Sequence, residues 1–255
     1  MNFTFNGTVI TVNTPNAAAL LAAVRQRLAA GQGFALATIN LDHLVKLRAD
    51  PAFRAAYAAQ DLVVADGNPI VWLSRLARRR VDLVPGSTMV IPLARIAAAA
   101  GRKVALLGAT EPALQAAAAR LQAEIPGLQI ALQIAPPMGF DPQGAAAGAM
   151  LAQLQSEGIG LCFLALGAPK QELLAARGRD LAPDVGFACI GAGLDFLAGT
   201  QNRAPEWVQR IAMEWLWRMA SNPRRLLPRY AACARLLPGQ ALCALRQGRT
   251  QAPGH

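Results

Sequence analysis

An aspartate follows a short apolar run in the first third of the chain, at Leu62-Val63-Val64-Ala65-Asp66-Gly67. A carboxylate at the end of a buried strand loses part of its water, which raises its pKa and strengthens it as a proton acceptor. Asp66 is therefore our candidate general base. The same residue could instead cap the helix that Pro69 begins, because aspartate is common at that position.

The preceding apolar run ends in Thr38-Ile39-Asn40, and Asp42 follows. Thr38 and Asn40 point to the same side of an extended strand, so both can hydrogen-bond a sugar or nucleotide. Asn40 could equally cap the next helix. Both interpretations remain open for this residue.

Three later turns have residues suited to an anionic ligand. Gly108 and Ala109 precede a helix, so their backbone N–H groups can hold phosphate. Gly167-Ala168-Pro169-Lys170-Gln171-Glu172 combines a glycine turn with a cation, an amide and an acid, a set suited to a diphosphate and a sugar hydroxyl. Asp195 follows the turn Gly191-Ala192-Gly193 and can accept from ribose hydroxyls. Neither the dinucleotide fingerprint nor the ATP-binding P-loop pattern occurs in the chain.

The elements that must position these residues alternate between short apolar runs and helical patterns. The apolar runs predict six strands: Phe34–Ile39, Leu62–Ala65, Lys103–Gly108, Leu128–Ile134, Ile159–Leu166 and Val185–Ile190. Helices are predicted between them, at about 51–59, 69–79, 87–100, 111–124, 142–156 and 170–180. Continuous hydrophobicity is typical of strands covered on both faces. We therefore predict an α/β fold of Rossmann-like type, with a mostly parallel sheet whose ligands bind at the carboxyl ends of the strands.

The chain begins with an alternating segment around Asn6-Gly7, which predicts an N-terminal β-hairpin. A helix is predicted to follow, from a cap at Thr14 or Asn16 to about Ala30.

The composition narrows the class of protein. Of the 255 residues, 54% are hydrophobic, and no apolar run approaches the roughly 20 residues that span a bilayer. No signal peptide is evident, so a cytoplasmic protein is expected. Four cysteines without close spacing and two histidines argue against a zinc site, and Cys162 and Cys189 are expected to be buried thiols.

The positive charge is concentrated at the C-terminal end. Residues 203–255 contain nine arginines and two glutamates, a net charge of +7, whereas residues 1–202 have +3. This asymmetry predicts a division into an α/β domain, residues 1–202, and a basic helical appendage, residues 203–255. Such a segment favours an anionic partner, lipid or nucleic acid, although a solvated basic tail is the simpler alternative.

The appendage also has an amphipathic pattern. Pro205–Ser221 is predicted to be a helix with Trp207 and Trp215 in its apolar stripe, and Pro228 and Pro238 are expected to limit the helices that follow. Arginine, tryptophan and leucine mixed in short helices are typical of an element at a membrane interface. The alternative is that these helices pack onto the parent domain and their arginines extend to water.

Several of these motifs, in this order, resemble the WecG/TagA/CpsF family of bacterial glycosyltransferases. The resemblance covers about residues 34–230. The segments that carry it are Thr38-x-Asn40, Asp66-Gly67, Gly86-Ser87, Gly108, Gly167-Ala168-Pro169-Lys170-Gln171-Glu172, Gly191-x-Gly193-x-Asp195-Phe196, Arg203-Ala204-Pro205-x-Trp207, Glu214-Trp215-x-x-Arg218 and Pro223-Arg224-x-x-x-x-Arg229-Tyr230.

The resemblance implies transfer of a sugar from a UDP-sugar to a polyprenyl-diphosphate-linked sugar, with inversion, in cell-surface polysaccharide synthesis. The family includes transferases of N-acetylmannosamine and of its uronic acid, as well as exopolysaccharide sugar transferases. It implies a peripheral protein at the inner face of the cell membrane, with no bound metal, no cofactor and no nucleic acid. A homo-oligomer is left open.

The resemblance also implies roles for individual residues. The family's catalytic aspartate corresponds to Asp66, and Thr38 and Asn40 would position substrate. Gln171 and Asp195 would hold the nucleotide sugar, with Gly108, Gly167, Lys170 and Glu172 near it. Diphosphate charge would be neutralised by arginines in place of a metal. The candidates are Arg203, Arg218, Arg224, Arg225 and Arg229.

Two positions depart from the family pattern. Thr88 stands where an acid is usual after the glycine at 86, and Ala65 replaces the proline that commonly precedes the aspartate. Two other functions compete with the transferase. A glycoside hydrolase would use Asp66 and Glu172 as paired carboxylates. A basic nucleic-acid-binding protein would need stacking aromatics on the sheet, whereas the tryptophans lie mainly in the tail.

Overall fold

A computed structural model describes residues 1–201 and 223–250. It begins with the predicted hairpin, β1 (Asn2–Phe5) paired antiparallel with β2 (Thr8–Thr11). Asn6 and Gly7 have φ angles of 48° and 82°, the positive values that a tight two-residue hairpin turn requires. The Asn16 side chain accepts from the Ala19 N–H at 2.8 Å and begins α1 (Ala17–Ala30), so Asn16 rather than Thr14 is the cap.

The main sheet has six strands, and every neighbouring pair is parallel. Their spatial order is β4-β3-β8-β7-β5-β6. This confirms the predicted fold class, with a sheet that is parallel throughout; the predicted strands differ only at their ends, by one or two residues. The strands are β3 (Phe34–Ile39), β4 (Leu62–Ala65), β5 (Lys103–Gly108), β6 (Ile130–Ile134), β7 (Ile159–Ala165) and β8 (Gly186–Cys189).

Helices cover both faces of the sheet. Within residues 1–201 they are α1, α2 (Leu41–Ala49), α3 (Pro51–Ala58), α4 (Asn68–Leu76), α5 (Gly86–Ala99), α6 (Glu111–Glu124), α7 (Ala145–Ser156), α8 (Lys170–Leu181) and α9 (Gly193–Ala198). One core cluster joins α1, α5, α6 and α9 to the sheet, and the opposite clusters join α2, α3, α4, α7, α8 and the hairpin. The predicted helix starting at 51 is preceded by α2, which the apolar pattern did not indicate.

The C-terminal helix corrects one expectation. Residues Pro223–Arg249, here α10, form a single helix that contains both Pro228 and Pro238. A proline removes one backbone hydrogen bond, to the carbonyl four residues earlier. Both prolines are exposed, and so are Arg224 and Ala234, whose carbonyls lose that bond, so water can hydrate them. The helix packs against α2 and α4 through Cys233, Leu236 and Ala244.

The predicted helix Pro205–Ser221, with its tryptophans, falls within residues 202–222 and lies outside the described part of the chain. In the parts that are described, none of the helices combines the length and hydrophobicity that a bilayer span requires.

The connections of the sheet diverge at the ends of β3 and β8, and we call the region at these strand ends the crevice. These neighbours continue in opposite directions: β3 leads into α2 on one side of the sheet, and β8 leads into α9 on the other. In open parallel sheets, ligands bind where the connections diverge in this way. The crevice therefore identifies the edge at which to build the site.

Candidate functional site

Asp66 lies one residue beyond β4 and is half-buried. Its backbone N–H donates to the Ile39 carbonyl at 2.7 Å, so the chain at Asp66 is tied to the end of β3. Gly67 follows with a φ of 125°, a conformation that favours glycine. Gly67, not Asp66, occupies the cap position of α4.

Asn40 and Thr38 lie beside this turn. A Cβ built on Gly67 would be 3.6 Å from the Asn40 Cβ, which places the two turns in contact. The Asn40 side-chain oxygen accepts from the His43 N–H at 3.1 Å, so its capping role is confirmed. Thr38 is buried, and a Cβ on Gly86 would be 3.0 Å from its methyl group. The N-terminus of α5 therefore packs directly on the ends of β3 and β8.

Gln171 connects two of the predicted segments. Its side-chain oxygen accepts from the Gly191 N–H at 3.2 Å, and its Nε2 donates to Glu172 Oε1 at 2.8 Å. The first bond joins the turn after β7 to the turn after β8. Both the oxygen and the nitrogen of the Gln171 amide are hydrogen-bonded, and only 2% of the residue is exposed. Gln171 therefore fixes the position of the Gly191 turn at the crevice.

Glu172 has no exposed surface. Burial raises the pKa of its carboxyl to about 7, and the hydrogen bond from Gln171 opposes that rise. Its Oε2 is buried without a hydrogen-bond partner among the described residues. In this structure Glu172 therefore acts on Gln171, not on a ligand in the crevice.

Asp195 lies in the first turn of α9 and is half-buried. Burial raises the pKa of its carboxyl, against a hydrogen bond from Thr200. The carboxylate Oδ2 accepts from the Gln201 side chain at 3.3 Å. Asp195 thus follows the Gly191 turn that Gln171 holds in place.

The glycine turns lie along the same edge at different distances from Asp66. Gly167 is exposed with a φ of 69°, and Lys170 is half-buried at the start of α8. Gly108 has a φ of 105°, and a Cβ there would lie 2.5 Å from the Ala165 carbonyl, so only glycine fits. It ends β5, four strands from β4, roughly 19 Å away at about 4.8 Å per strand.

An ion network lies next to the end of β3. The Asp42 carboxylate, in the first turn of α2, lies 3.0 Å from the Lys46 Nζ and 2.7 Å from the Arg229 Nε of α10. Lys46 also donates to the Ala168 carbonyl at 2.9 Å. Burial alone would raise the pKa of Asp42, but the charges of Arg229 and Lys46 outweigh it, so the pKa is lowered. The network therefore joins α2, the turn after β7 and α10.

A buried aromatic cluster packs α2 against α3. The His43 Nδ1 and the Tyr57 hydroxyl are 3.1 Å apart, and Phe53 packs edge-on against both rings. Burial, followed by the charge of Lys46, lowers the pKa of His43 to about 4, so the ring is neutral near pH 7. This cluster holds the first turn of α2 next to Asn40.

The structure thus gathers Asp66, Thr38, Asn40, Gln171 and Asp195 at the ends of adjacent strands, and Gly108 lies farther along the edge. Among the tail arginines, Arg229 reaches Asp42, and Arg224 is exposed. Arg203 and Arg218 fall outside the described residues, as does the side chain of Arg225.

Sequence reasoning did not assign roles to Lys46, His43 or Tyr57. Lys46 had one local signal, because it follows Asp42 at the i, i+4 spacing of a helical ion pair. His43 and Tyr57 had none, since their contact depends on how α2 packs on α3.

Two further observations concern metal binding and the location of the site. No group of three or more His, Cys, Asp or Glu side chains that could hold a metal ion occurs within residues 1–201 and 223–250. A cleft of about 560 Å³ lies at the opposite edge of the sheet, beside Arg27 and Arg179, and none of the candidate residues lines it. We place the site at the carboxyl edge because the polar side chains and the crevice meet there.

The chain also matches a known protein family. The model of the Glycosyl transferase WecG/TagA/CpsF family matches residues 5–253, nearly the whole chain. That match covers β2, the six-stranded sheet and α10 together. The chain therefore belongs to the WecG/TagA/CpsF family, whose members are glycosyltransferases of cell-surface polysaccharide synthesis.

Proposed function

We propose that this protein transfers a sugar from a UDP-sugar to a polyprenyl-diphosphate-linked sugar, with inversion at the anomeric carbon. The observation that carries the proposal is the position of Asp66, half-buried at the strand-end crevice and tied to the β3 end beside Asn40. Its neighbours are hydrogen-bonding side chains, as a sugar substrate requires.

Asp66 is the proposed general base. Its carboxylate takes the proton of the acceptor hydroxyl while that oxygen attacks the anomeric carbon of the donor. The bond from that carbon to the UDP oxygen breaks, and its electron pair leaves with the diphosphate. A single displacement of this kind inverts the configuration and needs one base without a covalent nucleophile.

The donor is proposed to bind along the crevice. Thr38 and Asn40 position the sugar, and Asp195 accepts from hydroxyls of the nucleotide. Gln171 supports this arrangement through the Gly191 N–H, with Glu172 behind it. The Gly167 turn, Lys170 and the Gly108 turn supply backbone N–H groups and a cation for the diphosphate.

Arginines of the appendage are proposed to neutralise the diphosphate in place of a metal. Among these arginines, Arg229 is held near the end of β3, because its Nε lies 2.7 Å from Oδ1 of Asp42, two residues from Asn40 in sequence. The other candidates are Arg203, Arg218, Arg224 and Arg225.

We also propose that residues 203–255 form an appendage that holds the protein on the inner face of the cell membrane. Leu227, Leu242 and Leu245 are exposed on α10. On a helix of 3.6 residues per turn they lie away from the side that packs on the domain, among exposed arginines. Those arginines are Arg224, Arg235, Arg246 and Arg249.

The replacement Asp66→Asn tests the base. It keeps the size of the side chain but removes its proton affinity, so turnover should fall by about 10²–10⁴-fold, while UDP-sugar binding is retained. The measurement uses a panel of UDP-sugars with a lipid-diphosphate-sugar acceptor, read by mass spectrometry. Asp180→Asn, at an exposed position on α8, is the matched control. Full turnover in Asp66→Asn would refute the assignment.

A further inference from the structure

The outward side of α4 has a mixed apolar and basic stripe directly after Asp66. Trp72, Arg75 and Leu76 follow the i, i+3, i+4 spacing that places residues on one side of a helix, and Arg79 comes three residues after the helix ends. Trp72 is 47% exposed and Leu76 is 40% exposed. Large apolar side chains are therefore presented to the outside within ten residues of the proposed base.

The core does not account for this stripe. The opposite side of α4 already fills the core with Ile70, Val71 and Leu73, and Ala77 follows them. Trp72 and Leu76 are thus apolar groups that the core packing of α4 does not use.

Positive charge follows the exposed tryptophan along the chain. Arg75, Arg78, Arg79 and Arg80 are all exposed, and residues 68–81 contain no acid. Arginine binds phosphate groups through paired N–H donors. An indole at the level of lipid headgroups, with arginines beside it, is the pattern of an interfacial helix.

This stripe is continuous with α10. A Cβ built on Gly248 would be 2.7 Å from the Leu76 carbonyl oxygen, so the end of α10 rests on the end of α4. Both helices therefore expose leucine and arginine next to one another, and together they enlarge the lipid-facing surface beyond the appendage.

We propose that the outward side of α4 is a contact with an anionic phospholipid bilayer, with Trp72 and Leu76 inserted at the headgroup level. Nucleic acid fits less well, because Leu76 offers no stacking surface to a base. Because α4 starts two residues after Asp66, this contact brings the catalytic edge of the sheet to the lipid surface. The orientation rests on the proposed function; the bilayer contact does not.

The test uses the full chain and vesicles of phosphatidylglycerol mixed with phosphatidylcholine. Replacing both Trp72→Ser and Leu76→Ser should lower the vesicle partition coefficient about tenfold or more, because two apolar anchors are lost. Leu181→Ser is the matched control, since Leu181 is 46% exposed on α8 and should leave partitioning unchanged. Equal partitioning of the wild type and the double variant would overturn the proposal.

Two measurements separate the bilayer from other partners. Arg75→Gln with Arg79→Gln should weaken binding to the anionic vesicles and leave binding to pure phosphatidylcholine vesicles unchanged. Sedimentation velocity of the Trp72→Ser/Leu76→Ser variant checks for a second copy. Dissociation of a dimer with unchanged vesicle binding would assign the stripe to self-association and reject the lipid contact.

Turnover distinguishes this proposal from the function on which it partly rests. The Trp72→Ser/Leu76→Ser variant should match the wild type on a short-chain, water-soluble acceptor and lose turnover on an acceptor embedded in vesicles. An equal loss on both acceptors would contradict a role in reaching the membrane. If the wild type transfers sugar to neither acceptor but the vesicle result holds, the proposed function fails and the bilayer contact stands.

Discussion

Glu172 is a buried carboxyl whose role is to orient an amide. Its Oε1 accepts from Gln171 Nε2, which leaves the Gln171 oxygen facing the Gly191 N–H. An amide whose two ends are both bonded cannot turn without losing both bonds. The crevice wall at Gly191 therefore depends on a residue that makes no contact with solvent.

The titration of Glu172 predicts how stability depends on pH. Its pKa rises from 4.5 to about 7 on folding, so between these values the folded protein binds more protons than the unfolded chain. The free energy of unfolding should therefore decrease as the pH rises through this window. In Glu172→Gln this decrease should be smaller.

Urea unfolding between about pH 5 and about pH 8 measures this effect. Glu157→Gln, at an exposed position, is the control and should keep the wild-type slope. An identical pH dependence in Glu172→Gln and the wild type would show that Glu172 does not titrate in this range.

At the level of elements, α10 is anchored to the site through α2. Arg229 is 41% exposed and Asp42 is 12% exposed, with 2.7 Å between Nε and Oδ1. Apolar packing through Leu236 and Ala244 also holds the helix. In addition, the Gln247 side chain donates to the Asn2 carbonyl at 2.7 Å and accepts from the Asn2 N–H at 3.4 Å. The ion pair therefore fixes the position of α10 relative to α2, and apolar packing and these hydrogen bonds supply the rest of the attachment.

A double-mutant cycle of Arg229→Gln and Asp42→Asn measures this anchor. Because the pair is partly exposed, the coupling free energy should be about 1 kcal/mol in urea unfolding. Arg235→Gln, at an exposed position on the same helix, should change stability by less than about 0.5 kcal/mol. In the Arg229→Gln variant, the amides of α10 should also exchange hydrogen faster. A coupling free energy of zero would show that the ion pair does not help to hold α10.

At the level of the whole molecule, charge distribution bears on the reaction. The net charge is +10, and residues 203–255 hold most of it. If arginines balance the diphosphate, turnover should be unchanged in excess EDTA. The measurement is the initial rate of transfer with EDTA and then with added Mg²⁺. A rate lost in EDTA and restored by the cation would contradict the arginine proposal, because Mg²⁺ can bind through one or two carboxylates and substrate phosphates alone.

Much of the fold was predictable because its signals are local. The apolar runs marked each strand of the sheet, and Asn6-Gly7 marked the hairpin. The burial of Cys162 and Cys189 was also correctly predicted. Helix α2 was missed because α2 and α3 meet at Asp50, which ends one helix and caps the next, so their pattern reads as one irregular stretch. The prolines of α10 were wrongly expected to end the helix, because the cost of a proline within a helix depends on whether the carbonyl that loses its hydrogen bond faces water.

The candidate site was predictable as a set of turns, since parallel strands bring their carboxyl ends to one edge. The contacts among those turns were not. Whether Glu172 faces solvent, whether Gln171 reaches Gly191 and which arginine reaches Asp42 depend on distances between segments far apart in sequence.

The sequence by itself determined the strands, most of the helices, their order and the family, because hydrophobic period, turn residues and motif order are properties of neighbouring residues. Only the tertiary structure decided that β3 and β8 are neighbours with diverging connections, that Glu172 is buried behind Gln171, and that Trp72 on α4 is exposed. The physical reason is that burial and charge pairing arise when separate elements close on one another, and that closure is set by the packing of the whole chain.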